Sequence, residues 1–225
     1  MSDISPAITI AILGGTGKEG KGLAYRWGRA GYSVIIGSRT PDKAVQTASE
    51  IGSLLGGAAS IQGMSNAEAA QRASIVVITV PYAAHAETLQ GLKDSLAGKT
   101  LIDVTVPLMA PKKSKVQMPP AGSAAQEARQ ILGEGTELAA AFHTIPHESL
   151  LSTEAVECEV LVTGTSKQTR EQALQLVKAA GLVGWDAGPI ENSVVAEGLA
   201  SVLIHINRQY GSTHAGIKII GVDKS

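Results

Sequence analysis

Glycines at one fixed spacing are the first residues of this chain that suggest chemistry. Residues 8–13 read Ile-Thr-Ile-Ala-Ile-Leu, and Gly14-Gly15-Thr16-Gly17-Lys18-Glu19-Gly20 follow with no intervening loop. The spacing Gly15-x-Gly17-x-x-Gly20 separates three jobs: a tight turn after a strand, room for backbone to approach a phosphate, and close helix-to-strand packing. Such a turn aims backbone N–H groups from a helix N-terminus, where a pyrophosphate is stabilised. Gly15, Thr16, Gly17, Lys18, Glu19 and Gly20 are therefore expected beside the phosphates of a dinucleotide.

The next strand decides which dinucleotide. A helix over 21–30 stops at Gly31, and an apolar run over 33–36 leads to Gly37-Ser38-Arg39-Thr40, with Lys43 one turn later. An acidic residue about 20 positions beyond the glycines would hold a ribose 2′-hydroxyl, whereas an Arg there accommodates a 2′-phosphate. A hydroxyl, a planar guanidinium and an ammonium around one point suit a dianion. Ser38, Arg39 and Lys43 thus indicate NADP rather than NAD. The plainer alternative is that Arg39 and Lys43 only solvate a surface.

These residues need a scaffold that gathers them. Strand-like runs at 8–13, 33–36, 59–62, 74–78, 100–103 and 137–141 alternate with helical patterns at 21–30, 41–55, 66–72, 83–92 and 123–132. That alternation predicts an α/β fold, a Rossmann-like doubly wound parallel sheet of about six strands, with ligands outside the carboxyl ends of the strands. The sequel is a strand at 159–163, an amphipathic helix at 167–180, a short strand at 184–186 and a long helix at 194–208. It reads as a small C-terminal α/β module. The expected division is 1–142 for the dinucleotide and 143–225 as the cover of a substrate cleft. The proline-rich stretch 107–120 reads as a surface loop.

Composition narrows the partners. At 225 residues the chain can bury a proper core. With 19 Lys and Arg against 20 Asp and Glu it lacks the basic face that nucleic acid requires. The single Cys158 excludes an intramolecular disulfide and a multi-cysteine metal site, and fits a reducing compartment. Residues 1–7 show no basic n-region of a signal peptide, and apolar runs fall far short of the ~20 residues of a membrane span. A cytoplasmic protein with small-molecule partners, no nucleic acid and no membrane is expected. Aromatic content of 3% leaves small aliphatic residues to form the core, as close helix-on-sheet packing allows.

Six segments together resemble the F420-dependent NADP oxidoreductases. They are Leu13-Gly-Gly-Thr-Gly-x-x-Gly-Lys-Gly-Leu23, Gly37-Ser-Arg39, Val80-Pro81, Ala141-Phe-His-Thr-Ile-Pro146, Asp186-Ala-Gly-Pro189 with Asn192-Ser193, and Gly216-Ile-Lys218. The resemblance covers nearly the whole chain. It implies reversible hydride transfer between NADP and coenzyme F420, an 8-hydroxy-5-deazaflavin, in a homodimer with no metal and no covalent intermediate. It places Thr16, Ser38, Arg39 and Lys43 on NADP and Val80 and Pro81 beside the nicotinamide half. It places His143, Ile145, Asn192 and Ser193 around the deazaflavin. The segments His147-Glu148-Ser149 and Gly211-Ser-Thr-His214-Ala-Gly216 are more polar than such a pocket leads one to expect.

Hydride transfer asks a protein mainly for alignment, because both carriers bring their own reactive carbons. Alignment alone can supply ~7 to 11 kcal/mol of the barrier. Val80, Pro81 and Ile145 suit the role of spacers that exclude water. A deazaflavin changes charge near its pyrimidine end as hydride moves, and a donor aimed there stabilises that charge. His143 is the candidate catalytic group, the alternative being a core histidine bonded to backbone at a strand end.

Other polar residues carry plainer readings. Pro146 stops a regular helix from placing His143 and His147 on one face with Glu148, so a metal site is not expected there. His205 reads as helix packing or an interface, and Cys158 lacks a cation that would activate it. Lys112, Lys113 and Lys115 read as a solvated loop or a contact for an acidic polyglutamate tail. Asp103 is either a polar group at the switch point or a cap. Two further functions fit the fold: an NADPH-dependent reductase of a flavin, quinone or imine, and an NADPH sensor without chemistry. An open ring-sized pocket containing His143 favours an enzyme, and a filled cleft favours a sensor. The apolar face of 194–208 and the tail 216–222 exceed what a small lobe alone buries, which fits the homodimer that the resemblance implies.

Overall fold

The computed structural model describes residues 8–109, 111, 114–152 and 155–222. Residues 1–7, Lys112 and Lys113 lie outside the described residues, and the readings given for them are carried no further.

The first half alternates strand and helix: β1 (Thr9–Leu13), α1 (Lys18–Arg29), β2 (Ser33–Ser38), α2 (Pro41–Leu54), β3 (Ile61–Ser65), α3 (Asn66–Arg72), β4 (Ile75–Ile78), α4 (Tyr82–Leu96), β5 (Thr100–Asp103), α5 (Ala124–Leu132) and β6 (Glu137–Ala140). These six strands run parallel in the order β3-β2-β1-β4-β5-β6. Their continuous apolar runs are what strands covered on both faces require. Alternation along β1 sends Ile10 and Ile12 into a cluster with Trp27 and Ile36, and Ala11 and Leu13 into another with Val76 and Leu89.

The second half is α6 (His147–Leu150), β7 (Glu159–Gly164), α7 (Lys167–Ala179), β8 (Val183–Pro189), a 3₁₀ turn Ile190–Asn192 and α8 (Ser193–Tyr210). β7 pairs antiparallel with β6, and β8 pairs parallel with β7, so one eight-stranded sheet results. The C-terminal strands thus build no sheet of their own. They cover the β6 edge, which would otherwise present unpaired backbone groups.

Boundaries shift where capping differs from periodicity. α1 begins at Lys18 rather than 21, because Gly17 adopts extended dihedrals and serves as its N-cap. β3 extends to Ser65, where a reciprocal capping box between Ser65 and Glu68 fixes the start of α3. α4 continues to Leu96, one turn beyond the 83–92 read from pattern.

Two long-range joints set the walls of the site. Arg26 of α1 is buried, and its guanidinium donates to the carbonyls of Leu150 (2.9 Å), Ala180 (3.1 Å), Ser149 (2.8 Å) and Ser152 (2.9 Å). Gly22 lets α6 approach, since a Cβ there would lie 2.4 Å from the Leu150 Cβ. At the other side Glu197 of α8 accepts from the amides of Ala124 (2.6 Å) and Ala125 (3.1 Å), which open α5. Burial and the Asp103 charge push this carboxyl up to about 8, against the pull of the two amides.

Candidate functional site

Each glycine of the turn has a distinct physical reason. Gly14 has φ +71°, and a Cβ there would lie 2.7 Å from the Val80 Cγ1. Its amide donates to Asn66 Oδ1 at 3.2 Å. The Gly15 amide donates to the Gly37 carbonyl at 3.0 Å, which ties the turn to β2. A Cβ on Gly20 would lie 2.5 Å from the Gly15 Cα, so α1 packs on the turn itself. Gly17 has space, its nearest neighbour being the Gly14 carbonyl at 3.6 Å. No side chain caps α1, which leaves its first-turn amides available to an anion.

A polar corner forms where β2 meets α2. Ser38 is buried and its Oγ accepts from the Thr40 amide at 3.1 Å. Arg39 and Lys43 are exposed, and neither takes part in an ion pair among the described residues. The structure therefore brings two uncommitted cations to the start of α2, whose own dipole also favours negative charge.

A cleft of about 630 Å³ opens beyond the carboxyl ends of the strands. Thr79, Val80 and Pro81 after β4 form one wall, Val104 and Thr105 after β5 the floor, and residues 142–148 after β6 the next wall. Ala200, Leu203, Asn207 and Arg208 of α8 face them. Strand order reverses between β1 and β4, the point where ligands of open α/β sheets bind.

Phe142 turns the chain into this cleft with φ +68°, a left-handed conformation that costs a non-glycine residue about 1–2 kcal/mol. Its ring meets the edge of Trp27 at 5.9 Å, and Trp27 is itself anchored to the Leu176 carbonyl at 2.9 Å. His143 follows, buried, with neither ring nitrogen meeting a hydrogen-bond partner. Burial pushes its imidazole down to about 4, against the opposing pull of the Asp103 carboxylate and carbonyl. At neutral pH the ring is uncharged, and the residue forms part of the cleft wall. The imidazole lies close enough to the Asp103 carbonyl at the end of β5 to feel its pull, and it lines the cleft at the same time.

Below the cleft floor Asp103 is fully buried and pairs with His85 Nε2 at 2.7 Å, while its other oxygen accepts the Thr105 amide at 2.9 Å. Burial alone would lower His85, but Asp103, with Glu127 and Glu197 further off, more than offsets it and raises the imidazole. Asp103 thus fixes the end of β5 through Thr105 and holds His85 beneath the cleft floor.

The family model described as NADP oxidoreductase coenzyme F420-dependent matches residues 9–107, from β1 through the cleft floor. The F420-dependent NADP reductase of Methanothermobacter thermautotrophicus is 39% identical over 217 residues, covering 93% of this chain and 94% of that one. The chain belongs to the F420-dependent NADP reductase family. The reductase of Methanocaldococcus jannaschii is 33% identical over 222 residues, covering 95% and 99% of the two chains. A crystal structure of an Arthrobacter sp. FB24 protein, described as a candidate F420-dependent NADP reductase, overlays with a TM-score of 0.79 at 24% identity. It covers 96% of this chain and all of that one, and supports the fold.

Within this F420-dependent NADP reductase family member, the remaining site residues divide. Ile145 is buried and lines the cleft with Val80, Pro81 and His143. Asn192 and Ser193 do not reach it. Asn192 is exposed and donates to the Ala187 carbonyl at 2.8 Å, and Ser193 is fully buried against Ser123 Oγ at 2.6 Å. Ser193 opens α8, and the cleft begins only at Ala200, about 10 Å along the helix axis. Glu19 does line the cleft, with a buried, unpartnered Oε1, and burial together with Glu148 pushes it up to about 8. Sequence reasoning missed Thr79, Thr105 and Asn66 as parts of the site, and it singled out Glu148 only as part of a polar segment after the pocket motif. The strand-end positions of Thr79 and Thr105 are a usable signal, whereas nothing local to Glu148 announces its place.

Proposed function

We propose that this chain transfers hydride reversibly between NADP(H) and coenzyme F420. The dinucleotide lies along the glycine turn with its 2′-phosphate at Ser38, Arg39 and Lys43, and the deazaflavin enters the cleft beside His143 and Ile145. One observation carries this reading: an open, ring-sized cleft that runs from Glu19, near the end of the glycine turn, past Val80 and Pro81 to the neutral His143 imidazole. A sensor would need no such space.

Residues 1–142 act as the NADP-binding half and 143–225 as the cover. Val195, Val202, Ile206 and Tyr210 are exposed along α8, and Ile220 and Val222 are exposed on the tail, which supports a homodimer that covers apolar surface of this kind. Sedimentation at twice the chain mass is the corresponding result. Among the described residues no helix is long and apolar enough to cross a membrane, and the single cysteine supports a cytoplasmic setting.

The deciding experiment is anaerobic mixing of reduced F420 with NADP, with NAD as the control, followed at the F420 absorbance band. Rapid reoxidation with NADP and little with NAD is expected. Tight NADPH binding without turnover would move the acceptor to another class. Arg39→Asp is expected to weaken NADPH binding by about 3 kcal/mol, the magnitude of a charge-assisted hydrogen bond lost. Fluorescence titration checks this, and unchanged affinity would remove Arg39 from the 2′-phosphate site. His143→Ala is expected to lower kcat about a hundredfold, as loss of an aimed donor does. Wild-type kcat should show no titration of His143 between pH 6 and 8, since this imidazole protonates only near 4.

A further inference from the structure

Glu19 and Glu148 come from opposite ends of the primary structure and meet at one rim of the cleft. Glu19 sits in the first turn of α1 directly after the glycine turn, and Glu148 sits in α6. The Arg26 hydrogen bonds and the close approach at Gly22 hold α6 against α1 and so bring the two carboxyls to the same wall. Glu19 Oε1 is buried there without a partner. A native fold rarely leaves a buried carboxyl oxygen unpaired, and such groups concentrate where a ligand completes them.

A dinucleotide with its pyrophosphate on the α1 amides and its nicotinamide at Val80 and Pro81 must pass this rim, because Val80 packs directly on the turn at Gly14. Its ring is neutral when reduced and carries a positive charge when oxidised. We infer that the Glu19–Glu148 carboxyl pair distinguishes NADP from NADPH by giving up one proton to solvent when the oxidised, cationic nicotinamide binds beside it. The inference rests on the dinucleotide placement proposed above. The step balances: the Glu19 acid becomes a carboxylate, water takes the proton, and no electrons move.

The charges around Glu19 favour this role. Glu148 faces it from α6 with His147 Nε2 at 3.1 Å from the Glu148 carboxylate, and His143 lies in the same cleft. On α1 itself Lys18 is exposed and Lys21 is engaged by Glu50 at 2.7 Å. Burial and Glu148 hold the free Glu19 acid up to about 8, so it is protonated at neutral pH. A cation within about 4–6 Å lowers a carboxyl by roughly 1–3 pKa units. NADP binding then releases protons below pH 8, and NADP affinity rises as pH climbs toward 8, while NADPH gains nothing. The 2′-phosphate is common to both and cancels in the ratio.

The test titrates the protein with NADP and, separately, NADPH from pH 6 to 9 by fluorescence, and measures binding heats at pH 7 in buffers of different ionisation enthalpy. The expected result is a shift of the affinity ratio toward NADP by about tenfold across that range, with more protons released on binding NADP than on binding NADPH. Glu19→Gln is expected to flatten the ratio and abolish the difference in proton release between the two dinucleotides. Glu148→Gln should move the transition to lower pH, and it keeps the test decisive if Glu19→Gln does not fold. A pH-independent ratio in the wild-type protein, or an unchanged one in Glu19→Gln, overturns the inference. Failure of both dinucleotides to bind at any pH overturns the proposed function and this inference with it.

Discussion

Arg26→Leu is expected to destabilise the fold by about 3–5 kcal/mol and to raise KM for both hydride carriers. The guanidinium is buried in α1, and four backbone carbonyls in two separate segments, 149–152 and Ala180, accept from it. Burial, with Arg29 next, lowers its pKa from the ordinary arginine value, yet an arginine remains charged at any physiological pH. Only a planar fork reaches several acceptors at once, so Arg26→Lys should recover part of the loss and no more. Leucine fills the volume but leaves the carbonyls of Ser149, Leu150, Ser152 and Ala180 without this donor, and each unsatisfied buried acceptor costs about 1–3 kcal/mol. The kinetic part follows from α6, because the segment that Arg26 anchors carries Glu148 and closes one cleft wall. Urea unfolding measures the first effect and steady-state kinetics the second. A loss under about 1 kcal/mol would mean that water satisfies these carbonyls equally well.

The parts of the site that were legible in sequence are those built by contiguous residues. The glycine turn and the Ser38-Arg39 corner are each a few residues long, and their backbone demands select Gly, Ser and Arg locally. The doubly wound sheet was legible for a related reason, since apolar strand runs and helical periodicity are themselves local. What escaped depends on pairing between distant segments. Nothing in the run Glu159–Gly164 states that it will pair antiparallel with β6. Phe142 carries a left-handed φ with no glycine to announce it, because the edge of Trp27 and the following cleft wall hold it there. Glu148 became part of the site through a guanidinium on another helix. For Asn192 and Ser193 the motif carries chain position but no orientation, and their hydrogen bonds run to the Ala187 carbonyl and Ser123 Oγ.

Asp103→Ala is the second large effect, an expected loss of about 3–5 kcal/mol, because removing one partner strands the other in a buried site. His85 and Asp103 are both fully buried at 2.7 Å, so the imidazole loses its counter-charge and the Thr105 amide loses its acceptor together. The pH dependence identifies the cause. Burial would raise Asp103, but His85 and the Thr105 amide outweigh it and hold the carboxyl below its ordinary value. Stability from that shift is fully present above the unfolded value near 3.9 and is lost as pH falls through the lower folded value. His85 is shifted the other way, so its contribution is fully present below the unfolded value near 6.5 and fades as pH rises through the raised folded value. The difference between wild type and Asp103→Ala should therefore be widest from about pH 4 to 6.5 and narrow on either side. Asp103→Asn retains an acceptor for Thr105 without the charge, so it should lose less and show little of this pH profile. A difference that stays flat from pH 4 to 9 would mean that the pair is a neutral hydrogen bond. In that case Asp103 would contribute only by fixing Thr105 at the cleft floor, and the kinetic defect of the two variants would then follow the Thr105 bond, severe in Asp103→Ala and slight in Asp103→Asn.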